Sequence, residues 1–217
     1  MNVGGMVDTQ WFVEDDQIQA VLIVWQGGME GGTAAAELLC GIGNPCGKLV
    51  DTFAKTLQDY PSTYNFHESD DYVNYTEDIY VGYRYFETLP GAADRVNYPF
   101  GFGLSYTKFE WSGFTMSAPD ANGNINVSVK VKNVGDRSGK DVVQIYAQAP
   151  YIDGGVEKSS LVLAGFEKTG NLAPGAEETV NVTVNLRYLA SYDVSANGGK
   201  GGYILDKGNY YITAASN

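Results

Sequence analysis

The chain has 217 residues, of which 44% are hydrophobic and 13% aromatic, so it is long enough to bury one large core or two ordinary ones. Its formal net charge of −12 and the lack of a basic stripe exclude a nucleic-acid partner, because neutralising a phosphate backbone needs clustered Lys and Arg. No apolar run approaches the roughly 18 residues that a membrane span needs, so we expect a soluble protein of the bacterial cytoplasm, the periplasm or the extracellular space.

The first predicted element is a buried strand, indicated by the apolar run at 20–24. A glycine-rich loop with one carboxylate follows at 25–32, and residues 33–40 predict a helix that stops at Gly41. In α/β layers ligands gather outside the carboxyl ends of strands, where glycines let a substrate approach the backbone. Glu30, the carboxylate of this loop, is therefore the first candidate catalytic residue.

Two cysteines, Cys40 and Cys46, and one histidine, His67, are the only residues of these types in the chain. They cannot supply a four-ligand zinc site by themselves, and we expect neither a metal nor a cofactor. A small pair of buried thiols and a local disulfide across 41–45 are both open at this point. His67 lies in a polar segment, where a solvated surface position is the simpler interpretation.

An aromatic-rich connector is predicted from residue 60 to residue 109. It shows little periodicity and is too long for a plain loop, so we expect it to lie across a surface and to pack by its rings. Such rings serve sugar-binding clefts as well as domain interfaces. Within the connector, Glu77 and Arg84 are expected to form a structural ion pair or to contact a cleft.

Residues 110–217 are dominated by short strands with alternating apolar residues, separated by turns rich in Gly, Pro, Asn and Asp. The predicted strands are 110–116, 124–132, 141–148, 160–168, 177–185, a short one near 188–193, and 208–214. This many strands in roughly 100 residues is typical of an immunoglobulin or fibronectin type III sandwich. The lack of cysteine in this half excludes an antibody-type disulfide.

Four ordered motifs resemble the C-terminal part of glycoside hydrolase family 3, the β-glucosidase and β-xylosidase family. They lie at 25–32, 43–49, 75–85 and 99–107. Two further segments, at 129–135 and 163–166, resemble the fibronectin type III-like domain of that family. The resemblance spans nearly the whole chain and implies an α/β plus all-β fold. We expect part of an α/β sandwich at 1–59, the connector at 60–109, and an immunoglobulin-like (fibronectin type III-like) β-sandwich at 110–217.

The resemblance also indicates what the chain does not contain. Family members usually carry a (β/α)8 barrel with a catalytic aspartate nucleophile, and an α/β sandwich that faces it. We expect this chain to begin midway through that sandwich, as a fragment or as the first half of a permuted enzyme. Its partner would be a barrel-containing polypeptide of the same enzyme, which would also cover the sheet edge left open after 20–24 and Phe53.

The resemblance gives Glu30 a specific role, because it aligns with the acid/base glutamate of a family branch typified by plant exo-hydrolases. Members with the fibronectin-like module usually carry that glutamate in a Gly-x-Glu-Gly-x-Asp-Arg motif, which this chain lacks. A retaining glycosidase needs two carboxyl groups about 5–5.5 Å apart, and Glu30 supplies only one. Candidates for lining the substrate cleft are Trp25, Gln26, Met29, Tyr75, Glu77 and Tyr80.

The predicted function is therefore that of an accessory portion of a retaining β-glycosidase that hydrolyses terminal non-reducing β-D-glucosyl residues. The chain by itself is expected to be inactive, because the nucleophile lies in the barrel region. β-Xylosides are the alternative substrate. A non-catalytic carbohydrate-binding or structural two-domain module is the alternative function.

Overall fold

A computed structural model describes all 217 residues and divides them into two compact units, Met1–Leu104 and Ser105–Asn217. Two short strands of the first unit, Phe53–Ala54 and Val96–Tyr98, pair antiparallel. None of the helices combines the length and the apolar composition needed to cross a membrane. The elements of the first unit are helices α1 (Gln10–Val13), α2 (Gly31–Leu39) and α3 (Tyr83–Thr88), strands β1 (Phe53–Ala54) and β2 (Val96–Tyr98), and 3-10 turns at Leu57–Asp59, Pro61–Tyr64 and Ala93–Arg95.

Helix α2 forms where the sequence predicts it, because the segment is rich in alanine and leucine, two of the strongest helix formers. It ends in a Schellman motif, in which the N–H of Ile42 donates to the carbonyl of Glu37 at 2.9 Å and the N–H of Gly41 donates to the carbonyl of Leu38 at 3.1 Å. Gly41 has a φ of 72°, a left-handed conformation that glycine adopts without strain. The predicted stop of the helix at Gly41 is confirmed.

The predicted buried strand at 20–24 is wrong. The segment contains no strand, and Val21 is exposed. Its backbone bonds go to the first residue, since the amino group of Met1 donates to the carbonyl of Leu22 at 2.6 Å and the N–H of Val24 donates to the carbonyl of Met1 at 2.9 Å. A strand needs a ladder of several such bonds, and two bonds to one residue do not make one.

The buried core of the first unit is small: Ala54, Phe86 and Ala92 pack together, and Phe53 is buried separately. The ring of Tyr60 packs edge-on against Phe86, with 5.8 Å between centroids. Its hydroxyl donates to the carbonyl of Thr52 at 2.9 Å and accepts from the N–H of Ala54 at 2.7 Å. These contacts tie the start of the aromatic-rich segment to strand β1.

Packing by aromatic rings, predicted for the connector, is confirmed for part of it. The rings of Tyr83 and Phe100 are 4.8 Å apart between centroids, and those of Tyr98 and Phe102 are 5.2 Å apart. The ring of Tyr85 also packs edge-on against Phe86, at 5.1 Å, whereas several other rings of the segment are exposed to solvent. The exposed group includes Tyr64, Phe66, Tyr72 and Tyr75.

The second unit is an all-β structure with two three-stranded sheets and one hairpin. Its elements are β3 (Phe109–Met116), β4 (Asn124–Asn133), β5 (Val142–Gln148), β6 (Val162–Lys168), β7 (Glu177–Asn185), a 3-10 turn at Leu186–Leu189, β8 (Ser191–Asp193), α4 (Ala196–Gly199), β9 (Gly202–Ile204) and β10 (Tyr211–Ala215). The strand order is β3-β4-β7 in one sheet and β10-β5-β6 in the other, and β8 pairs with β9.

The core of the second unit comes from the alternation along its strands. Every second residue of β4 is buried, and these residues pack with buried residues of β5 and β7 between the two sheets. The predicted strands of this half are confirmed, with three differences. The last strand, predicted at 208–214, is β10 and begins at Tyr211. Strand β8 begins at Ser191, because a 3-10 turn precedes it, and β9 was missed, because glycines around it are turn signals.

No disulfide joins Cys40 and Cys46. Cys40 caps the C-terminal end of α2 and is exposed, whereas Cys46 is partly buried. The interpretation as a pair of buried thiols is wrong, because Cys40 is exposed and Cys46 is only partly buried.

Candidate functional site

The glycine-rich loop forms a tight turn at the N-terminus of α2. Glu30 is the N-cap residue, and its carbonyl accepts the N–H of Ala34 at 2.9 Å. The N–H of Gly31 donates to the carbonyl of Gly28 at 2.9 Å. Gly27 is required here, because a Cβ on it would lie 2.8 Å from the Cα of Gly31. The side chain of Glu30 is exposed and makes no hydrogen bond or ion pair with the protein.

The other candidate side chains of this loop do not converge on one point. Trp25 has a φ of 52°, and its ring lies 6.4 Å from that of Phe53. The side chain of Gln26 lies against Gly4: a Cβ placed on Gly4 would lie 2.6 Å from Nε2 of Gln26. Met29 is fully exposed. Trp25 is thus held by the core, whereas Gln26, Met29 and Glu30 are exposed to solvent.

A concavity of about 460 Å³ lies beside the loop. Its apolar walls come from Leu22 and Val24 on one side and from Ala35 and Leu39 of α2 on the other, with the loop glycines at one end. None of the seven candidate site residues lines it. The concavity is therefore an open space between a helix and an apolar segment, with few groups that could do chemistry.

Three candidates lie in the aromatic-rich segment. Tyr75 is 89% exposed, Tyr80 is half-buried, and the carboxylate of Glu77 accepts a hydrogen bond from the hydroxyl of Ser62 at 3.1 Å. The expected ion pair between Glu77 and Arg84 does not form. Arg84 instead lies over the ring of Tyr83, with 6.0 Å between the guanidinium carbon and the ring centroid.

His67 is exposed, and its ring lies 4.4 Å from that of Phe66. No group of three or more His, Cys, Asp or Glu side chains is placed to hold a metal ion. The candidate side chains thus act singly and do not form a cluster. Glu30 has no hydrogen-bond or ion-pair partner that would orient its carboxylate.

The structure shows a second concavity, of about 300 Å³, that the sequence did not indicate. Its walls include Asp51, Thr52, Arg84 and Phe100. The hydroxyl of Thr52 is the only buried side-chain oxygen or nitrogen in the chain without a hydrogen-bond partner. Thr52 lies inside a short apolar run, where no spacing or motif distinguishes it from a core residue.

The two units define the class of the protein, which combines part of an α/β sandwich with a fibronectin type III-like β-sandwich and contains no closed barrel. Residues 1–106 match the Glycosyl hydrolase family 3 C-terminal domain, and residues 141–217 match the Fibronectin type III-like domain. The chain therefore belongs to glycosyl hydrolase family 3, of which it carries the C-terminal domain and the fibronectin-like domain.

The similar curated proteins are β-glucosidases. The chain is 53% identical to Beta-glucosidase A of Butyrivibrio fibrisolvens over 98% of its own length and 27% of that protein. It is 46% identical to a Beta-glucosidase of Ruminococcus albus over 100% of its length and 22% of that protein. The chain thus spans about a quarter of the length of these relatives.

Solved structures of β-glucosidases also resemble this chain. A β-glucosidase from Paenibacillus barengoltzii superimposes with a TM-score of 0.89 at 43% identity, over 100% of this chain and 23% of that one. A β-glucosidase from Kluyveromyces marxianus in complex with glucose superimposes with a TM-score of 0.81 at 36% identity, over 97% of this chain and 23% of that one. Both pairs establish a common fold over nearly the whole of this chain.

Proposed function

We propose that the chain is the accessory portion of a retaining β-glucosidase that removes terminal non-reducing β-D-glucosyl residues. Its partner is a barrel-containing polypeptide region of the same enzyme, which supplies the nucleophile. In this proposal residues 1–59 form the chain's share of the α/β sandwich, residues 60–109 form the connector, and residues 110–217 form the fibronectin-like domain. The names of the relatives and the quarter of their length that this chain spans support the proposal.

The observation that carries the proposal is the open face of α2. None of its nine residues is buried, and Leu39 is 71% exposed. A helix this short is marginal in water and depends on packing an apolar face against a neighbour. Burying a leucine side chain stabilises a protein or complex by about 1.5–3 kcal/mol. A polypeptide that covers Leu39 would therefore stabilise the assembly. The 460 Å³ concavity beside Leu39 is the space in which that covering region packs.

The chemistry divides between the two parts. Retaining hydrolysis uses one carboxylate as nucleophile and a second carboxyl group that acts first as acid and then as base. Glu30 is proposed for the second role, since it projects from a glycine loop that leaves space for a substrate. The proposed cleft-lining residues are Trp25, Gln26, Met29, Tyr75, Glu77 and Tyr80. Alone, one exposed carboxylate cannot carry out both steps.

Reconstitution tests this proposal. The chain is mixed with the part of the Butyrivibrio fibrisolvens relative that it does not match, and hydrolysis of nitrophenyl β-D-glucoside is measured for each component and for the mixture. We expect turnover only in the mixture, and faster turnover of the glucoside than of the xyloside. A mixture that neither associates on a sizing column nor turns over would remove the support for a two-part enzyme.

A further inference from the structure

Strands β5 and β6 of the second unit are joined by residues 149–161, a long connection that contains no helix or strand. Connections longer than about 12–15 residues without secondary structure are uncommon, and they are usually functional or disordered. We call residues 149–161 the strap. Two contacts, one near each of its ends, join the strap to residues 205–210, the segment between β9 and β10.

The contact near the C-terminal end of the strap is an ion pair between Nζ of Lys158 and Oδ2 of Asp206. The side chain of Lys158 is only 8% exposed, and that of Asp206 is 20% exposed. The hydroxyl of Tyr210 donates to the carbonyl of Asp206 at 3.0 Å, and Tyr210 packs against the core of the sandwich. The ion pair thus joins the strap to a segment that is itself held by the core.

The contact near the N-terminal end is made by Pro150, which lies against Gly208. A Cβ placed on Gly208 would lie 2.7 Å from Cβ of Pro150, so glycine is needed for this approach. Between the two contacts the strap projects into solvent, and Tyr151 and Ile152 are 58% and 50% exposed. The N–H of Gly155 donates to the carbonyl of Ile152 at 2.9 Å and closes a turn there. The projecting part is therefore held in place from its two ends.

Burial gives the ion pair an effect on the position of the strap. The attraction between two buried charges does little more than offset the cost of removing them from water, so such a pair contributes little net stability. Removing one partner is strongly unfavourable, because the other charge stays buried without a counter-ion. Opening the strap returns both charges to water. The strap therefore has two distinct states, one closed with the charges paired and one open with the charges solvated.

We infer that residues 149–161 are a strap that opens about Pro150 and whose closed position is set by the Lys158–Asp206 ion pair. The sandwich stays folded when the strap opens, because neither charged residue belongs to its hydrophobic core. Opening moves Tyr151 and Ile152 away from their positions in the closed state. The inference concerns the second unit by itself and is independent of the proposed function.

Hydrogen–deuterium exchange of the full chain, followed by mass spectrometry, tests the inference. Lys158→Met and Asp206→Asn each remove one charge, and each should raise exchange in 149–161 about tenfold or more while β4 and β7 exchange as in the parent. The double variant should exchange no faster than the faster single variant, because both changes break one contact. Lys130→Met is the matched control, since it breaks an exposed ion pair of the same unit, with Glu177 at 3.1 Å, and should leave the strap unchanged.

Two results would overturn the inference. One is exchange in the strap equal to that of the parent in both single variants. The other is faster exchange throughout the second unit, because the ion pair would then support the whole sandwich. Gly208→Ala displaces the other end of the strap without leaving a buried charge, so it decides the question even where a charge variant does not fold. Faster exchange confined to 149–161 in Gly208→Ala supports the inference, and unchanged exchange there contradicts it.

Discussion

The hydroxyl of Thr107 donates a 2.7 Å hydrogen bond to Oδ1 of Asn133, and both side chains are buried. The same oxygen accepts from the N–H of Gly135, and the amide nitrogen of Asn133 donates to the carbonyls of Arg137 and Leu172. One side chain thus satisfies four groups at one end of the fibronectin-like sandwich. The segment 129–135, which carries the family resemblance in this half, ends at this corner.

Asn133→Ala should destabilise the second unit, because it leaves buried donors and acceptors without partners. We expect a loss of about 2–4 kcal/mol in the free energy of unfolding. The measurement is urea unfolding followed by the fluorescence of Trp111, a residue of strand β3. Asn181→Ala, an exposed position on strand β7, is the control and should change stability by less than about 0.5 kcal/mol. Equal effects of the two changes would contradict the role given to Asn133.

Leu39→Glu tests the open face of α2. Because Leu39 is exposed in the chain alone, the change should leave its own unfolding curve within about 0.5 kcal/mol of the parent. In the reconstituted enzyme the same change buries a charge against apolar walls and should weaken association about tenfold or more. Titration of activity against the concentration of the barrel region measures this. An unchanged titration would show that α2 stays open in the assembly.

The proposed acid/base role of Glu30 has a defined kinetic signature. Glu30→Gln in the reconstituted enzyme should lower kcat by about 10²–10⁴-fold on substrates with poor leaving groups, which need a proton from the acid. Nitrophenyl glucosides, whose leaving groups need little protonation, should be affected less. Glu37→Gln, on the exposed face of the same helix, is the control. A loss below tenfold on both substrates would leave Glu30 as a residue that fixes the loop.

The pKa of Tyr60 links stability to alkaline pH. Burial raises the pKa of its hydroxyl above the usual value of 10.0, the N–H of Ala54 opposes the rise, and the carboxylates of Asp51 and Asp59 add to it. Because the pKa is higher in the folded state than in the unfolded one, this contribution is complete below the unfolded pKa. It is lost as the pH rises through the folded pKa.

Tyr60→Phe should therefore do two things. It removes the hydrogen bond to the carbonyl of Thr52, which should cost about 1 kcal/mol at neutral pH, and it should flatten the loss of stability above about pH 10. A pH series of urea unfolding curves measures both, with Tyr75→Phe as the exposed control. An alkaline slope equal to that of the parent would show that Tyr60 does not carry the effect.

The fibronectin-like half could be predicted from the sequence because its strands are self-contained. In β4 the apolar residues alternate, their partners in β7 lie in the same unit, and the pattern of burial follows the pattern of the sequence. The first half differs. The apolar run at 20–24 has the sequence pattern of a buried strand, but it makes only two backbone hydrogen bonds, both to Met1. The first unit contains no neighbouring strand that would pair with this segment.

The candidate site was predicted less completely than the fold. Glycine spacing identified the loop around Glu30, since tight turns need glycine, and the structure places that loop at the N-terminus of α2. The spacing of Glu77 and Arg84 predicted an ion pair that does not form. Glu77 instead accepts a hydrogen bond from Ser62 and Arg84 lies over the ring of Tyr83, because the folded structure decides these contacts. Thr52 carried no signal at all, because an orphan hydroxyl is a property of the surroundings and not of the residue.

In the proposed enzyme the nucleophile lies outside residues 1–217. A 2-deoxy-2-fluoro-β-D-glucoside with a good leaving group traps the nucleophile of a retaining enzyme as a covalent glycosyl ester. The reconstituted mixture is labelled with this reagent, digested and analysed by mass spectrometry. We expect one labelled carboxylate on the barrel region and an unlabelled chain. A sugar ester on any Asp or Glu of this chain would contradict it.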